Sequence, residues 1–167
     1  MLFRSQQASS DFLPVLSHHF EQAELWERAL HYLAQAAEAA ASAFAMREAI
    51  ALYARAIDIA SNPSLEADSM VEARILSKQG DCYFALNQFD ESHACQSRVA
   101  DIARAAADGE ALGAAVAGMA FASMYGHYLD RALAESAEAI ELSQSANTPG
   151  TEAAARFVSG TTYGITG

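Results

Sequence analysis

Lysine, proline, cysteine and long apolar runs are scarce in this sequence of 167 residues, and each scarcity excludes a class of protein. Lys78 is the only lysine, and 10 basic against 21 acidic residues give a net charge of −11, which opposes nonspecific binding to a phosphate backbone. Two cysteines, Cys82 and Cys95, cannot build a disulfide framework. No run approaches the roughly 18 apolar residues of a membrane span, and the amino terminus lacks a secretory signal. These absences predict a folded cytoplasmic protein that binds neither nucleic acid nor membrane.

Alanine, by contrast, makes up roughly a quarter of the chain. It is the strongest helix former, and no segment alternates apolar and polar residues in the manner of a strand. The sequence therefore predicts an all-α chain of about eight helices. Capping and turn residues predict a helix start at Ser10-Asp11, a helix break near 45–47 and a loop over 61–64. A new helix is predicted to start at Ser64. Later helices are predicted at 89–107, 110–126, 129–144 and 151–164.

A repeat of about 40 residues runs through the second half. Small residues recur at Gly80, Ala120 and Gly160, and the residues three positions later are Tyr83, Ser123 and Tyr163. The small residue lets one helix touch the next, and the aromatic residue fills the gap beside it; at Ser123 we expect Phe121 or Tyr125 to do so. The first half has the same internal spacings at Ser17, Phe20, Trp26, Ala29, Leu33 and Ala36. A fixed period of paired helices is typical of an α-solenoid.

The strongest repeat unit contains Gly80-Asp81-Cys82-Tyr83 followed by Asn87-Gln88-Phe89-Asp90. These segments resemble the glycine, aromatic, turn and aromatic pattern of tetratricopeptide repeats (TPRs), with Ser92 and Gln96 in place of the usual alanine and aromatic. The period exceeds the usual ~34 residues and falls in the range of HEAT-type repeats, which are the alternative. The glycine and aromatic positions favour the TPR interpretation. It implies antiparallel helix pairs over residues 11–167, with 1–10 as an N-terminal extension and a last repeat truncated at Gly167.

The front of the chain has a closer resemblance, carried by residues 13–23, 25–33 and 48–57. They are similar to the repeat region of large bacterial signalling proteins. In those proteins a STAND-type ATPase, often with a class III adenylyl or guanylyl cyclase domain or a DNA-binding domain, leads into such repeats. The resemblance implies a sensor and protein-interaction arm. No glycine precedes Lys78 in the manner of a phosphate-binding loop, so any such enzyme activity would lie outside this chain.

The first helix of each repeat is expected to line the concave groove of the solenoid. Counting from the repeated small residues gives the candidate protein-binding residues His18, Glu21, Gln22, Asp81, Phe84, Phe121, Met124, Tyr125 and Phe157. A groove that is acidic at one end and aromatic at the other suits an extended or helical peptide with apolar anchors and a basic end. The alternative is that these aromatic residues only pack between repeats.

Other polar clusters have simpler interpretations. A metal or acid–base site could be sought among His18, His19, Glu21, Glu24, Glu27 and His31, but no HExxH pairing exists and the surrounding helix face is needed for packing. The two cysteines are expected to be buried small side chains. Glu135, Glu138 and Glu141 have the spacing of a solvated outer face. We therefore expect no catalytic residue, no cofactor and no metal.

Three functions remain open, of which the last, an enzyme in its own right, rests only on the His/Glu cluster; the first two are not enzymatic. The first is a protein-binding sensor or scaffold arm of a larger cytoplasmic signalling ATPase or cyclase-type regulator. The second is an independent adaptor, or a module that self-associates through its terminal helix. In that helix Phe157, Val158, Tyr163 and Ile165 are expected to form an exposed apolar surface.

Overall fold

The computed structural model describes residues 12–62 and 69–166, which contain eight α-helices and no strand. The helices are α1 (Leu13–Gln22), α2 (Trp26–Ser42), α3 (Met46–Ala60), α4 (Ser69–Ala85), α5 (Phe89–Ala105), α6 (Gly109–Tyr125), α7 (Leu129–Ala146) and α8 (Pro149–Thr166). The prediction of an all-α chain of about eight helices is confirmed. The predicted cap at Ser10-Asp11 and the start at Ser64 lie outside the described residues, as does Gly167.

Six of the turns between these helices close in the same way. Each contains one residue in the left-handed region, with φ between 54° and 63°: Glu24, Phe44, Asn87, Ala107, His127 and Asn147. At one of them, the Ala107 amide donates to the Arg104 carbonyl (3.2 Å) and the Asp108 amide donates to the Ala103 carbonyl (2.9 Å). This is the Schellman motif, which satisfies the last carbonyls of a helix. At most turns the left-handed residues lie 20 positions apart, so one helix with its turn takes 20 residues. Two helices with their turns make the 40-residue period.

The chain forms two compact units, residues 1–82 and 83–167. In the first unit, α1 packs on α2 and α2 packs on α3. The Phe20 ring of α1 stacks on the Tyr32 ring of α2, with centroids 5.2 Å apart. The Gln79 side-chain amide of α4 donates to the Ile50 carbonyl of α3 at 3.1 Å. Small side chains allow this close packing, and the fully buried core positions include Ser17, Ala29, Leu33, Ala37, Ala49 and Ala56.

In the second unit α5 packs on α6, α6 on α7 and α7 on α8, and α6 also contacts α8. Ala120 and Met124 of α6, Ala132 of α7 and Val158 of α8 form a buried cluster. Val158 is fully buried here, so the expectation that it is exposed is wrong. The repeated small residue at position 120 does lie where neighbouring helices meet.

Gln96 of α5 packs against a glycine of α6. A Cβ added at Gly118 would lie 3.0 Å from Cδ of Gln96, so the buried Gln96 side chain covers the Gly118 backbone. The Asp108 side chain caps the start of α6 by accepting a hydrogen bond from the Ala111 amide at 2.9 Å. Local polar contacts thus fix both the start of α6 and its packing on α5.

A polar network, and not an aromatic ring, occupies the space beside Ser123. The Ser123 hydroxyl donates to Oε2 of Glu135 at 2.6 Å and accepts from Nε of Arg131 at 2.8 Å. Nε2 of His93 lies 2.6 Å from Oε1 of the same carboxylate. Phe121 packs against the buried cluster that contains Ala120, in line with the expectation that it fills the gap beside that small residue.

The burial of Glu135 also corrects the interpretation of the acidic face of α7. Glu135 is 8% exposed, whereas Glu138 and Glu141 are exposed as expected. A buried carboxylate is stable only with hydrogen-bond partners, and Glu135 has them from α5 and α6. The network therefore joins three helices of the second unit.

Candidate interaction surfaces

The predicted groove residues of α1 lie beside α3. Both oxygens of Glu21 accept hydrogen bonds from Nη2 of Arg55 in α3, at 2.8 and 3.0 Å. His18 and Gln22 are exposed on the same helix. The helix α1 therefore neighbours α3 on one side of the first unit, and Asp81 lies on α4, which faces α2.

Sequence analysis missed the cleft that the first unit does contain. Helices α2 and α4 flank a cleft of about 480 Å³, and α3 lies beneath it. Its apolar lining includes Leu30 from α2, Ile75 from α4 and the ring of Tyr53 from α3. Tyr53 is only 2% exposed, and burial raises its pKa to about 12, with Glu38 adding to the shift. The hydroxyl is therefore neutral at physiological pH, and the buried ring forms the floor of the cleft.

The two walls of this cleft carry opposite charges. Glu27 and Glu38 line it from α2, whereas Arg74 and Lys78 line it from α4. Among residues 12–62 and 69–166, none of these four side chains forms an ion pair within 4.0 Å. Partial desolvation raises the pKa of nearby Asp81, and Lys78 opposes that shift. The charged groups of the walls are thus available to a molecule that enters the cleft.

The second unit carries a surface of clustered aromatic side chains. The Phe84 ring makes edge contacts with Phe89 and Tyr125 at centroid distances of 5.3 and 5.2 Å. Phe121 stacks on Phe157 of α8 at 6.1 Å. Because Phe121 and Tyr125 are four residues apart on α6, the two groups share one helix face. We call these five side chains the aromatic surface.

Parts of the aromatic surface are accessible to a partner. Tyr125 is 47% exposed and Phe157 is 56% exposed, whereas Phe84, Phe89 and Phe121 are half-buried. The predicted candidate Met124 is different: it is 5% exposed and lies in the core cluster. It follows Phe121 by three residues in the sequence, but its side chain points to the interior of the unit.

A polar margin borders the aromatic surface near Tyr125. The Arg131 guanidinium lies over the Tyr128 ring at 4.3 Å, and the Tyr128 hydroxyl donates to Asp90 at 3.3 Å. The residues of the α4–α5 and α6–α7 turns enclose a shallow depression of about 460 Å³, which Tyr125 and Tyr128 both line. Half-exposed aromatic groups with a polar margin are the usual composition of protein-binding patches.

The histidine and glutamate residues near the amino terminus are dispersed. His31 contacts Gln35 at 3.0 Å, and Glu21 binds Arg55. Within the ranges that the structure describes, no three His, Cys, Asp or Glu side chains are grouped as metal ligands. Both cysteines are buried, as expected. Burial raises the pKa of the Cys95 thiol to about 11 and also raises that of Cys82, so both are protonated at neutral pH.

Comparison with known proteins defines the class of fold as a TPR-like α-solenoid, which confirms the predicted fold class. A protein from Podosopora anserina described as a kinesin light chain with nearly identical TPR-like repeats is 16% identical, with a TM-score of 0.67. The alignment covers 92% of this chain and 85% of that one. No protein-family model and no curated protein sequence matches the chain.

A second similar structure is that of BtubC (BKLC) from P. vanneervenii, which is 16% identical with a TM-score of 0.65. The alignment covers 86% of this chain but 58% of BtubC, so the chain spans less than two thirds of that protein. At this level of identity the likeness shows the fold alone. No helix in the described part of the chain is long and apolar enough to cross a membrane.

Proposed function

We propose that this protein is a non-catalytic scaffold that binds a protein partner through the aromatic surface of its second unit. The observation that carries the proposal is the clustering of five aromatic side chains on α4, α5, α6 and α8, two of them about half-exposed. Exposed aromatic rings held by other rings are pre-ordered, so binding them costs little side-chain entropy. Aromatic residues of this kind dominate the binding energy of protein interfaces.

The proposed partner is a peptide segment or domain with apolar anchors. The net charge of −11 favours a partner with basic residues, because complementary charge accelerates association and disfavours acidic competitors. The resemblance of residues 13–57 to the repeats of bacterial signalling proteins supports a finer proposal. In it the chain is the sensor arm of a cytoplasmic ATPase or cyclase-type regulator, and the partner is another domain of that regulator or a separate signalling protein.

A peptide selected from a displayed random library against the intact protein tests the role of the aromatic surface. Its dissociation constant is measured by fluorescence anisotropy for the wild type, Tyr125→Ala and Phe157→Ala. Truncating an interface anchor costs about 2 kcal/mol or more, so we expect binding to weaken by at least about tenfold in each variant. Phe44→Ala is the matched control, because Phe44 is 86% exposed and belongs to the first unit.

The result for Phe44→Ala distinguishes binding at the aromatic surface from nonspecific binding to any exposed aromatic residue. We expect it to bind like the wild type, with all variants keeping the wild-type helix content by circular dichroism. If selected peptides bind the wild type, Tyr125→Ala and Phe157→Ala equally, the aromatic residues only pack between helices and the proposed binding surface is wrong.

Self-association is the second candidate function, and α8 favours it. Phe157, Tyr163 and Ile165 of this helix are each more than half exposed. Exposed apolar side chains on this helix offer surface that a second copy could cover. Light scattering over a range of concentrations tests this: a mass that rises with concentration in the wild type and not in Tyr163→Ser supports it, whereas a constant monomer mass excludes it.

A further inference from the structure

The cleft of the first unit has the composition of a small-molecule site. Its volume of about 480 Å³ falls in the range of pockets that enclose compact ligands, roughly 300–1,000 Å³. Leu30, Ile75 and Tyr53 come from three different helices and, each less than 10% exposed, form the apolar base of the cleft. An apolar floor with a few charged groups at the margins is the common design of such sites.

The charges of the two walls restrict the ligand more than the volume does. A purely anionic ligand would approach Glu27 and Glu38, and a purely cationic ligand would approach Arg74 and Lys78. In either case one wall attracts the ligand and the other repels it. A ligand with one positive and one negative end, joined by an apolar body, meets an attractive group on both sides.

We propose that this cleft binds free peptides of two or three apolar residues. The terminal ammonium group would lie at Glu38 on the acidic wall, and the terminal carboxylate at the basic wall formed by Arg74 and Lys78. The apolar side chains of the peptide would cover Tyr53. This site lies within the first unit and does not depend on the aromatic surface, so the two proposals can fail independently.

Peptide chemistry allows a test on the unaltered protein. Trileucine is titrated into the intact chain by isothermal calorimetry, together with its N-acetylated, C-amidated and doubly blocked forms. Loss of one charge-assisted contact weakens binding by about tenfold, so we expect each singly blocked peptide to bind about tenfold more weakly than trileucine. The doubly blocked peptide should bind more weakly still.

Charge-neutralising variants then assign each end of the peptide to a wall. Lys78→Gln should weaken the binding of trileucine and of its acetylated form about tenfold, but should not change that of its C-amidated form. Glu38→Gln should show the opposite selectivity. Arg104→Gln is the control, because Arg104 is an exposed cation of the second unit and should leave all four titrations unchanged.

Two results would overturn the proposal. One is that trileucine at concentrations up to about 10 mM produces no heat of binding and no chemical-shift change. The dissociation constant would then exceed that of the weakest specific complexes. The other is equal binding of the free and the doubly blocked peptide, because the cleft would then not recognise termini. Loss of peptide binding to the aromatic surface would have no effect on either result.

Discussion

The turn at Ala107 offers a stability prediction with a matched control one residue away. Ala107 has φ of 54°, in the left-handed region, whereas Ala106 has φ −81° and ψ −4°. Both side chains are exposed, so removal of either methyl group leaves no cavity. The two substitutions Ala107→Gly and Ala106→Gly therefore differ only in the backbone conformation that the glycine must adopt.

The expected effects have opposite signs. The left-handed conformation costs an L-residue about 1–2 kcal/mol, and glycine avoids this cost. Glycine loses about 0.5–1 kcal/mol more backbone entropy on folding than alanine. Ala107→Gly should therefore raise the free energy of unfolding by about 0.5–1 kcal/mol, and Ala106→Gly should lower it by a similar amount.

Urea unfolding followed by far-UV circular dichroism measures both variants. A difference of about 1–2 kcal/mol between them, with Ala107→Gly the more stable, is the predicted result. If Ala107→Gly is destabilised as much as Ala106→Gly, residue 107 does not occupy the left-handed region and the Schellman turn is wrongly placed.

Three further predictions concern the interior. Glu135→Ala should lower the free energy of unfolding by about 3 kcal/mol, because it leaves buried hydrogen-bond partners unsatisfied. Glu138→Ala should change the free energy of unfolding by less than about 0.5 kcal/mol. Equal effects of the two substitutions in urea unfolding would contradict the polar network. Met124→Ala should cost about 3 kcal/mol as a core truncation and Phe157→Ala less than about 1 kcal/mol, and the reverse order would place Met124 at the surface. Both buried thiols should resist iodoacetamide at neutral pH in the folded protein and react in denaturant, as mass spectrometry can show; rapid labelling of the folded protein would refute their burial.

The helical architecture was predictable because local composition and long-range packing agree. Alanine favours helix throughout, and the small residues at 80 and 120 are buried where helices meet. The helices α4, α6 and α8 begin at Ser69, Gly109 and Pro149, which reproduces the 40-residue period. The left-handed conformation at the turns could not be predicted from the sequence, since none of the six left-handed residues is a glycine.

A matching internal spacing does not by itself show which residues of a helix form a groove, so the groove residues predicted for the first unit stay a prediction. Ser17 and Phe20 match Gly80 and Tyr83 in internal spacing, but α1 and α4 are separated by two helices in the chain. Among the cleft-lining residues of α2, Glu27 and His31 were interpreted only as candidates for a metal or acid–base site, because the cleft also depends on side chains of α3 and α4. The burial of Glu135 was equally inaccessible, because its partners Ser123 and His93 come from other helices.

The equal spacing of the turns has a consequence for how such a chain can change in length. Removal of residues 109–148 would join Asp108 to Pro149, so that α8 follows the α5 turn where α6 did. The alternation of helix direction would be kept. Removal of 20 residues would instead reverse the direction of every later helix. Viable gains and losses of sequence in this part of the molecule should therefore occur in whole hairpins, which makes duplication the simplest route by which it lengthens.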